Sequence, residues 1–244
     1  MKHRRKRVVC FFENINFLTQ HCEPNMYIKE PLTKAQAVVI WLHGLGSNPQ
    51  DMAGLASQLQ IDLPIRHVFL AAPIRPVTVN NGMRMPAWYD IVGVSLLDRE
   101  DYHGVNQSQQ MLHQAIEQQI QDGFHTRQIY VAGFSQGAAI ALFGGLSCHQ
   151  TLGGLLILSG YLPCRSQLEM KQDKNIPLFF AVGTNDDIVL PAWSQQTVSY
   201  LNDHDFKHVV LNRYPMTHAV CYEEIQDIST WLYQHIQSQN VEVI

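Results

Sequence analysis

Gln128-Ile129-Tyr130-Val131-Ala132-Gly133-Phe134-Ser135-Gln136-Gly137-Ala138-Ala139-Ile140-Ala141-Leu142 is the stretch that decides the fold. It runs from an apolar strand, Gln128–Ala132, through a glycine-flanked serine into a helical segment, Gln136–Leu146. That segment is small and apolar nearly all round, and a helix without a polar face is a buried one. The G-x-S-x-G between them reads as a strained strand-to-helix turn. The glycines are needed because the flanking positions are crowded. The turn lifts the serine hydroxyl above the sheet edge and sets the helix N-terminus below any oxyanion that develops there. Alone, the five-residue motif is a weak signal; the strand before it and the helix after it give it weight.

Five more apolar segments flank this unit: Ala37–Leu42, His67–Ala71, Gly154–Ser159, Pro177–Val182 and His208–Arg213. Most are continuous apolar runs rather than alternating ones, as in strands covered on both faces. Helical patterns lie between them at Asn48–Gln60, Asn106–Gln121, Pro191–Leu201 and Glu223–Gln237. The Asn-Pro start at Asn48 is an N-cap followed by a first-turn proline. Strand and helix in alternation predict an α/β fold, a mostly parallel sheet with helices on both faces and right-handed crossovers. Pro73–Gly104 fits no period. A loop this long in a compact domain is functional or disordered, and its Met and aromatic content argues for packing.

The 244 residues suffice for one large core. Seventeen Lys and Arg against twenty-one Asp and Glu argue against a nucleic-acid surface. No apolar run reaches the length of a membrane helix, so stable membrane insertion is not expected. Lys2, Arg4, Arg5, Lys6 and Arg7 cluster at the start, and without them the formal charge is −9. An export signal is disfavoured because Glu13, Asn14 and Asn16 interrupt the apolar run that follows. Residues 1–25 read as a basic, disordered extension, or as sequence upstream of a start at Met26, and 26–244 as one domain. Five cysteines with no C-x-x-C pair support neither a disulfide framework nor a zinc knuckle. Reduced thiols and a cytoplasmic location are the expectation.

A serine hydroxyl attacks only when a base takes its proton. On this fold the order is Ser, acid, His. After Ser135 the acids at a strand end are Asp186 and Asp187, which spacing leaves tied. Of His204, His208, His218 and His235, only His218 lies just beyond a strand end and before a helix. The spacing of His204 and His208 is no helical metal pair, so no metal is expected. Leu42-His43-Gly44-Leu45-Gly46 follows an early strand, where such folds carry an oxyanion donor. The Leu45 and Gln136 backbone N–H groups are the two candidates, with His43 ordering the loop. Met83, Met85 and Trp88 are candidates for an apolar substrate groove, Met because it adapts to flexible chains.

The chain resembles the carboxylesterase/phospholipase family of α/β-hydrolases, which includes bacterial carboxylesterases and acyl-protein thioesterases. The resemblance rests on Val39-Ile40-Trp41-Leu42-His43-Gly44-Leu45-Gly46, Met85-Pro86-Ala87-Trp88-Tyr89-Asp90, Gly133–Gly137, Ser159-Gly160-Tyr161-Leu162-Pro163, Gly183-Thr184-Asn185-Asp186-Asp187 and Tyr214-Pro215-Met216-Thr217-His218. These run in family order from about Lys34 to the last helix. The resemblance implies a single-domain α/β-hydrolase with Ser135, Asp186 and His218 as its triad. It places Leu45 and Gln136 at the oxyanion hole, requires no metal or cofactor, and allows a homodimer. It decides between Asp186 and Asp187. Val182 stands where the family often has His, and Thr217 where it often has Gly. The implied activity is hydrolysis of short- to medium-chain carboxylic esters through an acyl-enzyme. The alternative is an acyl-protein thioesterase or lysophospholipase, its basic arm approaching anionic lipid. A non-catalytic binding module on the same fold is the remaining rival.

Overall fold

The computed structural model describes residues 26–93 and 99–241. The basic extension expected at 1–25 lies outside them. Nine strands and five helices follow in chain order among the described residues. They are β1 (Met26–Lys29), β2 (Ala37–Leu42), α1 (Pro49–Ala56), β3 (Ile65–Leu70), β4 (Ile74–Val77), β5 (Met83–Pro86), α2 (Tyr102–Gln121), β6 (Ile129–Phe134), α3 (Gln136–Ser147), β7 (Gly154–Leu158), β8 (Leu178–Gly183), α4 (Pro191–Asp203), β9 (Val209–Tyr214) and α5 (Tyr222–Val241). Seven strands form one sheet in the order β1-β3-β2-β6-β7-β8-β9. All neighbours are parallel except β1 on β3.

Alternation along a strand divides the core between the two faces. From β2, Val38, Ile40 and Leu42 point into one cluster with Leu112 and Ile116 of α2, Leu142 of α3 and Leu201 of α4. Val39 and Trp41 point the other way, to Met52 and Leu55 of α1 and Ile228, Trp231 and Leu232 of α5. The fold is therefore an α/β-type sheet with helices on both faces. No helix among the described residues is long and apolar enough to cross a membrane.

Three departures from the periodicity reading have local causes. β1 is a short antiparallel edge strand, too brief for a pattern. Within Pro73–Gly104, β4 and β5 form a hairpin, Ile74 opposite Pro86 and Val77 opposite Met83. Its turn carries Asn81 and Gly82 at φ 55° and 74°, the left-handed pair that an Asn-Gly step signals. α2 begins at Tyr102 rather than Asn106, because the Asp101 side chain accepts from Gly104 N at 2.9 Å and caps it.

Position in the sheet matters most for function. The chain runs outward from β2 to β3, then returns to β6 on the other side of β2. A crevice opens at such a reversal, above the C-terminal strand ends. The loops after β2 and β6 both meet there.

Candidate active site

Ser135 joins β6 to α3 with φ 55° and ψ −119°, a strained conformation that only a supported turn sustains. Its support is close packing without side chains. A Cβ on Gly137 would overlap the Leu42 and His43 carbonyl oxygens, and one on Gly133 would overlap the Gly137 backbone. The elbow thus sits directly against the end of β2.

His218 Nε2 lies 2.8 Å from Ser135 Oγ, and His218 Nδ1 lies 2.8 Å from Asp186 Oδ2. With Nδ1–H donating to the carboxylate, Nε2 is left as an acceptor facing the serine hydroxyl. Asp186 Oδ1 accepts from Ile188 N and Val189 N, both at 2.9 Å. Its side chain is 1 % exposed and that of His218 is 18 % exposed. The neighbouring Asp187 is exposed. The Phe134 ring packs on the imidazole at 4.8 Å between centroids.

The His218 loop reaches this place because the loop after β8 lets it cross. Thr184 N donates to Tyr214 O at 2.8 Å and Asn185 N to Met216 O at 3.0 Å. Gly183 lies under that crossing, where a Cβ would meet the Met216 and Thr217 carbonyl oxygens.

Leu45 and Gln136 border the same cavity as Ser135. Gln136 is the first residue of α3, where a backbone N–H has no intrahelical acceptor. His43 is buried. Its Nε2 accepts from Ala72 N at 3.1 Å and its Nδ1 lies 2.8 Å from Gly44 O, the arrangement of a neutral Nδ1–H imidazole. Burial holds it below the usual histidine range.

A cavity of about 590 Å³ opens beside Ser135. Its apolar wall comes from Met52 and Leu55 of α1, Ile91, Ile188, Val189 and Val220. Met83, Met85 and Trp88, from which a substrate groove is expected, are not among the described residues that line it. Met83 is 65 % exposed on the hairpin, and Met85 Sδ takes a contact from Asn80 Nδ2 at 3.2 Å. Trp88 is buried, with Nε1 donating to His43 O at 2.7 Å, because a buried indole N–H must find an acceptor. Trp88 therefore braces the loop after β2 through the His43 carbonyl. Gln136 adds a clamp that motif spacing does not reveal. Its side chain accepts from Trp88 N and donates to Tyr89 O, each at 2.8 Å. Of the four segments that supply the wall, only the one with Ile91, inside Pro73–Gly104, carried a signal in the sequence.

A profile of the phospholipase/carboxylesterase family matches residues 23–236. Acyl-protein thioesterase 1 of Schizosaccharomyces pombe is 37% identical over 180 residues, 72% of this chain and 80% of that one. The Yarrowia lipolytica protein of the same name is 34% identical over 210 residues, 82% and 92% of the two chains. The crystal structure of Zea mays acyl-protein thioesterase 2 superposes with a TM-score of 0.76 at 26% identity, covering 86% of this chain and 98% of that one.

Proposed function

The chain belongs to the phospholipase/carboxylesterase family of α/β-hydrolases, and from that premise we propose that Ser135, His218 and Asp186 are the nucleophile, base and orienting acid of an acyl ester and thioester hydrolase. The observation that carries this reading is the chain of two 2.8 Å hydrogen bonds from Asp186 through His218 to Ser135, opening on an apolar cavity.

Ser135 Oγ attacks the acyl carbonyl while His218 Nε2 takes the hydroxyl proton. Asp186 holds the Nδ1–H tautomer and faces the imidazolium as it forms. The Leu45 and Gln136 N–H groups donate to the oxyanion, each such donor contributing about 3–4 kcal/mol. The tetrahedral species collapses, His218 returns the proton to the departing alcohol or thiol, and an acyl-Ser135 ester remains. Water, deprotonated by His218, attacks that ester, and the same steps release the carboxylic acid.

The apolar wall suits an acyl chain, and short- to medium-chain esters are the first reading of the substrate. The names of the fungal relatives favour a second, thioesters of lipidated proteins. Hydrolysis of p-nitrophenyl esters and matched thioesters across chain lengths tests both. The triad reading requires Ser135→Ala to lose activity on every one. A maximum at short or medium chains supports the first substrate, and a steady rise to palmitoyl the second. Activity retained in Ser135→Ala would remove the assignment.

A further inference from the structure

Asp51 is the one carboxylate among the described residues that line the cavity beside Ser135, and no lysine or arginine joins it there. It is exposed, whereas Met52 and Leu55 on the same wall are buried. The α1 wall is therefore apolar at depth and acidic at the mouth. Neighbours hold the carboxylate in place: Oδ2 accepts from Ser47 Oγ at 2.5 Å and from Asn48 Nδ2 at 3.2 Å. At His43 burial opposes the protonated form and Asp51 favours it, so the charge is felt in the loop that carries Leu45.

A carboxylate fixed at the entrance acts unequally on substrates. It adds a repulsion for every anionic group that must lie there while the acyl carbonyl sits at Ser135, and an attraction for a cationic one. We propose that Asp51 is a specificity-determining residue that selects acyl esters and thioesters with neutral or cationic leaving groups and disfavours polyanionic ones. The proposal rests on the hydrolase reading of Ser135 and narrows its substrate class. It excludes phosphate-rich thioesters as preferred substrates and fits basic peptides or quaternary-ammonium alcohols on the leaving side.

The competing role for Asp51 is purely structural, since an acid in the first turn stabilises α1. The two roles differ in one readout. Hexanoyl thioesters of thiocholine, 2-mercaptoethanol and 2-mercaptoethanesulfonate share an acyl chain and carry leaving groups of charge plus one, zero and minus one. In wild type we expect kcat/KM to favour the thiocholine ester over the sulfonate by about tenfold at low salt, shrinking toward unity at high salt. Asp51→Asn keeps an oxygen acceptor for Ser47 and should cut that ratio to about threefold or less. Asp51→Lys should invert it, while Asp187→Asn should leave it near the wild-type value. The ratio cancels any general loss from a weakened helix start. Equal loss on all three substrates with the ratio intact would overturn the proposal, and so would an equal response to Asp187→Asn. If wild type fails to cleave even the neutral thioester, or Ser135→Ala still cleaves it, the hydrolase site itself falls and this inference with it.

Discussion

At Ser135 the backbone stores strain that the glycines on either side make tolerable, and its hydroxyl meets a histidine already oriented by a buried carboxylate. Asp186 and Asp187 are adjacent in sequence, yet only one turns inward to His218 and two backbone N–H groups. Replacing Asp186 with Asn should favour the wrong imidazole tautomer and lower kcat by roughly ten-thousandfold, with little change in melting temperature. Asp187→Asn should stay within about twofold of wild type. Steady-state kinetics of the two variants checks both. Trp88 makes a different prediction. Trp88→Phe retains most of the ring but leaves His43 O without its donor. A lost buried hydrogen bond costs about 1–3 kcal/mol, and the slackened loop should lower kcat more than it raises KM.

Between elements, the site depends on two close approaches. Where α3 meets the end of β2, the neighbouring atoms are backbone carbonyl oxygens of Leu42 and His43. Backbone held in a central strand cannot retreat as a side-chain tip can, so Gly137→Ala should cost about 3 kcal/mol or more in urea unfolding, or prevent folding. Gly183 is different, because the atoms above it belong to the loop carrying His218. That loop can shift, at the expense of its alignment with Ser135. Gly183→Ala should therefore lower kcat/KM by more than tenfold while costing about 1–3 kcal/mol in stability. A variant with unfolding loss but normal kcat/KM would show that the β8–β9 crossing does not hold His218 against Ser135.

For the whole molecule, buried titratable groups set how stability varies with pH. Burial, with Lys29 nearby, lowers His67 to about 4 from an unfolded value of 6.5. Its neutral ring accepts from Trp41 Nε1 at 3.0 Å. The unfolded chain thus binds more protons between those values, and stability present above pH 6.5 is lost as pH falls toward 4. Glu224 acts in the opposite sense. It is fully buried, and burial raises it to about 8 from 4.5, with Asp227 adding to the shift. Stability present below pH 4.5 is lost as pH rises through 8. Each contributes on the order of a few kcal/mol across its window. Melting temperatures from pH 4 to 9 should show His67→Gln flattening the acid limb and Glu224→Gln the alkaline limb. Gln at 67 retains an acceptor for Trp41, so an unchanged acid limb would mean that other histidines dominate it.

What could be read from the amino-acid order was whatever a backbone repeats locally. Buried strands such as β2 and β8 are continuous apolar runs, and α3 has no polar face. The elbow, the order Ser135, Asp186, His218 and the glycine-flanked loop at Leu45 sit at strand ends, which punctuation residues mark. Spacing alone could not separate Asp186 from Asp187; the family likeness did, because both follow the same strand and only packing decides which faces inward. The cavity wall was legible only in part, through Ile91 in the long segment Pro73–Gly104. Met83, Met85 and Trp88 had the right chemistry in the right segment, but the hairpin carries Met83 out to solvent, and Trp88 spends its N–H on His43. The wall comes from α1, from Ile91 in the segment after β5, and from the loops after β8 and β9, which meet only when the sheet closes. Periodicity is a property of neighbours in the chain, whereas a cavity belongs to residues whose proximity is created by the fold.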